Sequence, residues 1–252
     1  MPAFSANLGF LWTDRPLADA IRAAKAAGFD AVECHWPYGE PLADIQAALS
    51  DTGLQMLGLN TVRGPLNAGM AALPERVAEA REAIDQAIAY GSAIGAASVH
   101  VMAGQSEGEL AQTTYLENLR YASEQAAKQG MSILIEPLNP FDMPGYFLRD
   151  TLHAVELLEM LNLPNVKLMF DCYHVGRTEG DVLARFDACL PFIGHVQFAS
   201  VPDRGAPDHG EVNYDEVFAH IDQSGWTSPL GAEYKVAGST EETLGWLPAF
   251  GN

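Results

Sequence analysis

The sequence predicts an α/β protein built as a closed (β/α)8, or TIM, barrel. Strand-like and helix-like segments alternate eight times along 252 residues, and no shift in composition separates one part of the chain from another. About 250 residues is also the usual length of one such barrel. We therefore expect a single domain over residues 1–252. An open doubly wound sheet is the alternative. The first turn lacks the GxGxxG pattern, which removes the usual reason to expect a dinucleotide there.

Eight short apolar segments are predicted to be buried strands. In chain order they are Phe4–Leu11, Phe29–Trp36, Leu54–Asn60, Ser98–Ala103, Ser132–Leu138, Val166–Tyr173, Ile193–Ala199 and Pro229–Lys235. In the fifth strand an aliphatic run leads directly into Glu136 and Pro137. Because proline has no N–H to donate to a sheet, pairing should loosen there and leave Glu136 at the end of the strand.

Between the strands, apolar residues recur at helical spacing, as at Leu17, Ala20 and Ala24. The predicted helices are Arg15–Ala27, Pro41–Thr52, Pro74–Ile94, Glu109–Gln129, Arg149–Leu161, Glu179–Leu190 and Tyr214–Ser224, with a short closing helix at Ser239–Leu247. A glycine precedes five of the strands, where it can adopt the left-handed conformation that ends a helix. These glycines are Gly28, Gly53, Gly95, Gly130 and Gly225.

Composition narrows the classes of partner. The net charge of −19 argues against nucleic acid and anionic membranes, because both require basic patches. Three cysteines without CxxC spacing favour a reducing cytoplasm over a disulfide framework. The N-terminus lacks the pattern of a signal peptide, and no stretch reaches the length of a membrane span. We therefore expect a cytoplasmic protein with a small-molecule substrate. Its oligomeric state is left open, and a homo-oligomer is compatible with the sequence.

Four polar residues lie at the ends of successive strands five to eight: Glu136, Asp171, Gln197 and Glu233. The spacing between them is about that of one strand–helix–strand unit, so a barrel should bring all four to one site. Carboxylate and amide oxygens are ligands typical of Mg2+ or Mn2+, whereas zinc sites more often use His and Cys. Three converging carboxylates also require a cation. The alternative is that each residue is separately hydrogen-bonded to a loop.

Three histidines lie close to these positions. His174 follows Asp171 by three residues, and we expect it to donate a hydrogen bond to a substrate oxygen. His195 lies two residues before Gln197, on the same strand face, and is expected to be structural. His100, inside the fourth strand, is compatible with either role.

Two basic residues are candidates for binding a substrate carboxylate. Lys235 shares a strand face with Glu233, and Arg204 lies in the loop after the seventh strand. For both residues, the alternative is an ordinary solvated charge on a loop.

Several short motifs, spread over nearly the whole chain, together resemble hydroxypyruvate isomerase, a family of xylose-isomerase-like barrels. They are Phe-Ser-Ala-Asn-Leu (4–8), Ile-Glu-Pro-Leu-Asn (135–139), Asp-Cys-Tyr-His (171–174), Gly-His-Val-Gln (194–197), Pro-Asp-Arg-Gly (202–205), Gly-Glu-Val-Asn-Tyr (210–214) and Glu-Tyr-Lys (233–235). Each motif alone is weak, and their combination in this order is specific.

The resemblance implies a role for each matching residue. The metal ligands of the family fall on Glu136, Asp171, Gln197 and Glu233, and the two glutamates among them form the acid–base pair. The substrate-contacting residues of the family fall on His174 and Arg204. Gln197 stands where many sugar epimerases of the wider superfamily have His, which favours the hydroxypyruvate branch. Ser200 departs from the aspartate found in part of the family.

The resemblance further implies an aldose–ketose isomerase that converts hydroxypyruvate to tartronate semialdehyde with a divalent metal, Mg2+ or Mn2+. One glutamate would remove a proton from the hydroxyl-bearing carbon and the other would deliver one to the neighbouring carbon. A 2-oxo-tetronate isomerase and a ketose 3-epimerase are the alternatives on the same barrel, followed by a non-catalytic sugar-binding protein. A DNA-repair nuclease would need several zinc-binding histidines and a basic groove, which this composition disfavours.

Overall fold

The computed structural model describes residues 2–250, and its centre is a sheet in which every neighbouring pair of strands is parallel. The strands are β1 (Phe4–Asn7), β2 (Ala31–Glu33), β3 (Gln55–Met56), β4 (Gly58–Asn60), β5 (Ser98–His100), β6 (Ser132–Ile135), β7 (Val166–Asp171), β8 (Ile193–Phe198) and β9 (Leu230–Ala232). Their order in the sheet is β3-β2-β1-β9-β8-β7-β6-β5-β4.

The two outer members of that order, β3 and β4, are halves of one strand interrupted at Leu57. The Leu57 N–H donates to the Val32 carbonyl on one side at 2.7 Å, while the Ala97 N–H donates to the Met56 carbonyl on the other at 3.0 Å. The sheet therefore closes on itself, and the predicted (β/α)8 barrel is confirmed.

Helices lie between consecutive strands and cover the outside of the barrel. They are α1 (Leu17–Ala27), α2 (Leu42–Thr52), α3 (Val77–Ile94), α4 (Gly108–Ala127), α5 (Thr151–Leu161), α6 (Cys172–Thr178), α7 (Val182–Cys189), α8 (Tyr214–Gln223) and α9 (Leu247–Phe250). Gly28 and Gly53 end α1 and α2 at φ angles of 99° and 68°. A side chain would be strained in that left-handed region, which explains the glycine at these turns.

One difference between the predicted and the observed strand ends changes the position of a site residue. Val166–Tyr173 was predicted to be a strand, but β7 ends at Asp171 and the helix α6 begins at Cys172. The Asp171 carboxylate accepts a hydrogen bond from the Tyr173 N–H at 2.8 Å, and this cap starts the helix immediately after the strand. As a result His174 lies in the first turn of a helix, at the mouth of the barrel.

The predicted closing helix at Ser239–Leu247 is also wrong. A short 3-10 turn at Glu241–Thr243 precedes α9, which begins only at Leu247. The predicted domain runs from residue 1 to residue 252, and residues 1, 251 and 252 lie outside the part of the chain that the structure describes. Within residues 2–250, no helix combines the length and the apolar character needed to cross a bilayer.

Candidate active site

The ends of β6 to β9 place four polar side chains at one mouth of the barrel. Glu136 directly follows β6, Asp171 is the last residue of β7, Gln197 lies near the end of β8, and Glu233 directly follows β9. Asp171 is paired in register with Gln197. All four residues are buried, with exposures between 2% and 6%. This placement is the one that the strand-end pattern predicts.

Short distances join these residues into one cluster. Ligand-type atoms of Glu136, Asp171 and His174 all lie within 4.8 Å of one another. Gln197 Nε2 donates to Glu233 Oε1 at 3.4 Å. The structure thus brings all the predicted metal ligands and His174 together in a single buried group.

Arg204 is the cation of this cluster. Its guanidinium donates to Glu233 Oε2 and lies 3.8 Å from Asp171 Oδ2. The same group stacks on the rings of Phe10 and Tyr173, at 4.7 and 4.9 Å from their centroids. Stacking and ion pairing together fix the plane of the guanidinium at the mouth of the site.

Lys235, the other predicted cation, lies apart from this arrangement. Its side chain is exposed, while its backbone N–H donates to the Arg204 carbonyl at 2.7 Å. Lys235 therefore supports the loop that carries Arg204 through the main chain.

The two glutamates have opposite electrostatic surroundings. Burial raises the pKa of Glu136 well above its usual range, and the charges of Glu233 and Asp171 add to the rise. Burial also raises the pKa of Asp171 to about 7, with Arg204 opposing the shift. For Glu233, burial favours the neutral acid, but Arg204 and a hydrogen bond to His35 outweigh it and lower the pKa to about 2.

Three neighbours hold the Glu233 carboxylate. The Asn7 amide donates to Glu233 Oε1 at 2.9 Å, and His35 Nε2 lies 3.0 Å from the same oxygen. Gly9 makes room for the His35 ring, since a Cβ at that position would approach the ring to 2.2 Å. Together with Arg204, these side chains hold the carboxylate in one orientation.

A hydrogen bond from the main chain fixes the tautomer of His174. The Asn139 N–H donates to His174 Nδ1 at 3.0 Å. A backbone N–H can only donate, so Nδ1 carries the lone pair and the proton of the neutral ring is on Nε2. Burial, and then Arg204, lower the pKa of His174 to about 3. His174 is therefore a neutral hydrogen-bond donor whose Nε2 faces Asp171 and Glu136, at 3.6 and 3.9 Å.

The donor set fits a divalent cation that prefers oxygen ligands. Glu136 Oε1, Asp171 Oδ2 and Gln197 Oε1 are all buried, and none of them has a hydrogen-bond partner within residues 2–250. Buried acceptors without partners are costly unless another group satisfies them. Three oxygens of this kind in one cluster, beside the Glu233 carboxylate, match the coordination chemistry of Mg2+ or Mn2+.

Two further histidines border the cluster. His195 Nε2 lies 3.0 Å from Glu33 Oε2. His100 Nδ1 lies 3.5 Å from Glu136 Oε2, and burial lowers the pKa of His100 to about 4. His100 thus contacts a carboxylate of the candidate site, and His195 contacts Glu33 beside it.

Sequence reasoning missed three polar residues of this site: Asn7, Glu33 and His35. Asn7 and Glu33 are the last residues of β1 and β2, and Glu33 accepts hydrogen bonds from Ser5, His195 and Gln197. The predicted strands one and two, Phe4–Leu11 and Phe29–Trp36, run four and three residues past Asn7 and Glu33. The strand-end pattern therefore finds these two residues only once the true ends of β1 and β2 are known.

Residues 21–250 match the family of xylose isomerase-like TIM barrels. The chain is 40% identical to 2-oxo-tetronate isomerase of Cupriavidus necator, with 99% of each protein covered. It is 34% identical to hydroxypyruvate isomerase of Escherichia coli, with 99% of this chain and all of that protein covered. The chain therefore belongs to the xylose isomerase-like TIM barrel family.

Its full-length curated relatives are isomerases, and the predicted enzyme class, an aldose–ketose isomerase like hydroxypyruvate isomerase, is confirmed. Among solved structures, a protein of Brucella melitensis described as AP endonuclease, family 2, superposes with a TM-score of 0.95 at 36% identity, with both chains fully covered. A D-allulose 3-epimerase of Methylomonas sp. superposes with a TM-score of 0.79 at 20% identity, covering 100% of this chain and 91% of that one. The second likeness concerns the fold alone.

Proposed function

We propose that the protein isomerises a short 3-hydroxy-2-oxo acid, moving the carbonyl from carbon 2 to carbon 3 through an enediolate. The observation that carries this proposal is the pair Glu136 and Glu233, two buried carboxyl groups joined by Asp171 and Gln197 in one cluster. Such a pair can serve both carbons of an enediolate, one for proton removal and one for proton delivery.

A divalent cation, Mg2+ or Mn2+, belongs to this proposal, held by Glu136, Asp171, Gln197 and Glu233. When bound, the cation neutralises the negative charge that develops on the substrate oxygens. The unpartnered buried oxygens support this ligand set, since a cation would satisfy all of them at once.

The protein's own groups carry the protons. One glutamate takes the proton from carbon 3, and the other delivers a proton to carbon 2, while the proton of the 3-hydroxyl passes to the oxygen on carbon 2. The two carboxyl groups finish with their protonation states exchanged, and solvent resets them. His174, with its proton on Nε2, is suited to donate to a substrate oxygen and so to hold the reacting carbons between the glutamates.

Arg204 is proposed to bind the substrate carboxylate. Its guanidinium already contacts carboxylates in the cluster, and its planar fork matches a carboxylate in two-point contact. A substrate carboxylate can replace one of these contacts without leaving the arginine unpaired. Lys235, at the edge of the mouth, is proposed as a weaker and more exposed contribution to the same recognition.

Two acids of this class are candidates, with three and four carbons. Hydroxypyruvate is the three-carbon acid that the sequence motifs favour. The four-carbon acid, 2-oxo-tetronate, is favoured by a separate observation, because relatives named for it reach 36–40% identity. Relatives named for hydroxypyruvate, putative ones included, stand at 34–36%. The chemistry is the same for both acids, and they differ only in the terminal hydroxymethyl group.

A substrate panel in D2O tests the proposal. Protein loaded with Mg2+ is incubated with hydroxypyruvate, 2-oxo-tetronate and a series of neutral ketoses, and conversion is followed by proton NMR. We expect turnover of one or both acids with deuterium incorporated at carbon 2 of the product. Conversion of neutral ketoses alone, with inversion at carbon 3, would instead identify a ketose 3-epimerase. Binding without any conversion or exchange would identify a sugar-binding protein.

A further inference from the structure

Glu33 is a buried carboxylate that the proposed chemistry does not use. It ends β2 and is 3% exposed. Its Oε2 accepts hydrogen bonds from Gln197 Nε2 at 2.8 Å and from His195 Nε2 at 3.0 Å, while its Oε1 accepts from Ser5 Oγ at 3.1 Å. Its two oxygens thus accept from three donors on the strands β1 and β8.

These contacts determine which end of the Gln197 amide faces the site. The amide nitrogen donates to Glu33 Oε2, and more weakly to Glu233 Oε1 at 3.4 Å. Turning the amide over would put its carbonyl oxygen against two carboxylates, which have no proton to donate. The network therefore leaves Gln197 Oε1 buried and without a hydrogen-bond partner in the described part of the chain, as a ligand oxygen should be.

The strand β9, which pairs with β8 and β1, leaves space for the Glu33 side chain. A Cβ on Gly231, in β9, would lie 2.1 Å from Glu33 Oε1 and 2.9 Å from Gln197 Cγ. Only glycine leaves room there for the carboxylate of β2 to reach the side chains of β8. The position of Glu33 is thus built into several strands and does not depend on a single hydrogen bond.

We propose that Glu33 is the positioning residue that holds the Gln197 amide with its oxygen turned toward the metal position. This inference rests on the metal site of the proposed function and adds a residue that acts through Gln197. Groups that orient metal ligands in this way typically affect metal affinity by about 10- to 100-fold. Because Glu33 acts on the orientation of an amide, its effect should disappear when residue 197 has no amide to orient.

A four-variant cycle on Mn2+ affinity, measured by electron paramagnetic resonance, tests this dependence. The proteins are wild type, Glu33→Gln, Gln197→Glu and the double variant. In the wild-type background, Glu33→Gln should weaken Mn2+ binding about 10- to 100-fold. The introduced amide accepts hydrogen bonds at one oxygen only. Its N–H groups can also donate to the carbonyl oxygen of a flipped Gln197 amide, which turns that oxygen away from the metal position. In the Gln197→Glu background, the same change should leave Mn2+ binding unchanged or strengthen it. The carboxylate introduced at position 197 is repelled by Glu33, whereas a glutamine at position 33 donates a hydrogen bond to it.

The matched control is Glu79→Gln, a substitution of an exposed glutamate on α3 that pairs with Arg76, and it should bind Mn2+ like wild type. An equal loss of affinity from Glu33→Gln in both backgrounds would reduce Glu33 to general structural support and overturn the inference. Unchanged affinity of Glu33→Gln in the wild-type background would overturn it as well. Failure of the wild type itself to bind Mn2+ would contradict the metal site of the proposed function, and the inference with it. If Glu33→Gln does not fold, the comparison of Gln197→Glu with the double variant still decides the sign of the effect.

Discussion

At the scale of single residues, the two glutamates are chemically identical and differ only in what surrounds them. Glu233 is bonded by Arg204, Asn7 and His35, whereas the rings of His100 and His174 lie 3.5 and 3.9 Å from the Glu136 oxygens. Contacts of this kind set which carboxyl group is ionised in the protein before any ligand binds. An acid–base pair requires such a difference, because the two members must start a turnover in different protonation states.

We expect Glu136→Gln and Glu233→Gln each to reduce turnover by about two to four orders of magnitude, the usual contribution of general acid–base catalysis. Glutamine keeps the shape and one ligand oxygen but cannot accept a proton at neutral pH. Turnover is measured by NMR, with metal content determined on the same samples so that metal loss is not mistaken for lost chemistry. A variant that retains metal and turns over normally would exclude that glutamate from the mechanism.

Arg204→Ala should raise the KM for hydroxypyruvate far more than the KM for dihydroxyacetone, the neutral ketose of the same length. A substrate carboxylate left without its partner in a buried site loses roughly 2–5 kcal/mol of binding, whereas a neutral hydroxymethyl group loses much less. Steady-state kinetics on both substrates give the comparison. Arg204→Lys serves as the control, because it keeps the charge without the planar fork. Equal increases for the two substrates would mean that Arg204 does not bind the carboxylate.

At the scale of elements, the sequence predicted the barrel and the strand-end carboxylates because both depend on local patterns. Aliphatic runs indicated the strands, and the strand ends indicated Glu136, Asp171, Gln197 and Glu233. The local pattern did not predict α6, since Asp171 caps that helix while also ending a strand. It also did not predict the contacts between β1, β2 and β8 around Glu33, which arise only when distant strands become neighbours.

The loop after β8 carries Arg204 and is held by its own polar side chains. Ser200 Oγ donates to Asp203 Oδ1 at 2.6 Å and accepts from the Gly205 N–H at 2.9 Å. The His209 ring joins two points of this segment, with Nε2 at 2.9 Å from Asp203 and Nδ1 at 2.7 Å from Asp208. Only the protonated ring can donate to both carboxylates, because a neutral imidazole has a single N–H.

We therefore expect the stability of this loop to depend on pH. Hydrogen bonds from His209 to Asp203 and Asp208 raise the pKa of His209 above its ordinary value, which is about 6.5. A raised pKa means that the stabilisation is complete below about pH 6.5 and is lost as the pH rises through the pKa of the folded protein. Proton NMR of the histidine rings should show His209 titrating above about 6.5, and Asp208→Asn should lower that value. A pKa of His209 at or below the ordinary histidine value in the wild-type protein would contradict the hydrogen bonds from His209 to Asp203 and Asp208.

At the scale of the whole molecule, the candidate active site gathers part of an unfavourable negative charge into one buried place. The chain carries a net charge of −19, and self-repulsion of this size weakens the compact state. Glu33, Glu136, Asp171 and Glu233 are all buried there, and the raised pKa values of Glu136 and Asp171 show that ionising these groups together is unfavourable. A divalent cation bound there would relieve repulsion where screening by solvent is weakest.

Metal loading should therefore stabilise the protein against heat, and the effect should come from the site and not from the overall charge. A ligand that binds only the folded state at a hundredfold excess over its Kd contributes about 2.7 kcal/mol. For a chain of this length that raises Tm by roughly 5–10 °C.

Any salt will also raise Tm to some extent, because it screens the net charge. The Tm of EDTA-treated protein is therefore measured by calorimetry with added Mg2+ or Mn2+ and, as a control, with KCl at equal ionic strength. Asp171→Asn removes a metal ligand but only one of the 33 acidic residues. It should therefore abolish most of the metal-specific rise in Tm and leave the rise in KCl unchanged. A rise that is equal in KCl, or equal in Asp171→Asn, would assign the stabilisation to screening and contradict a metal site at these residues.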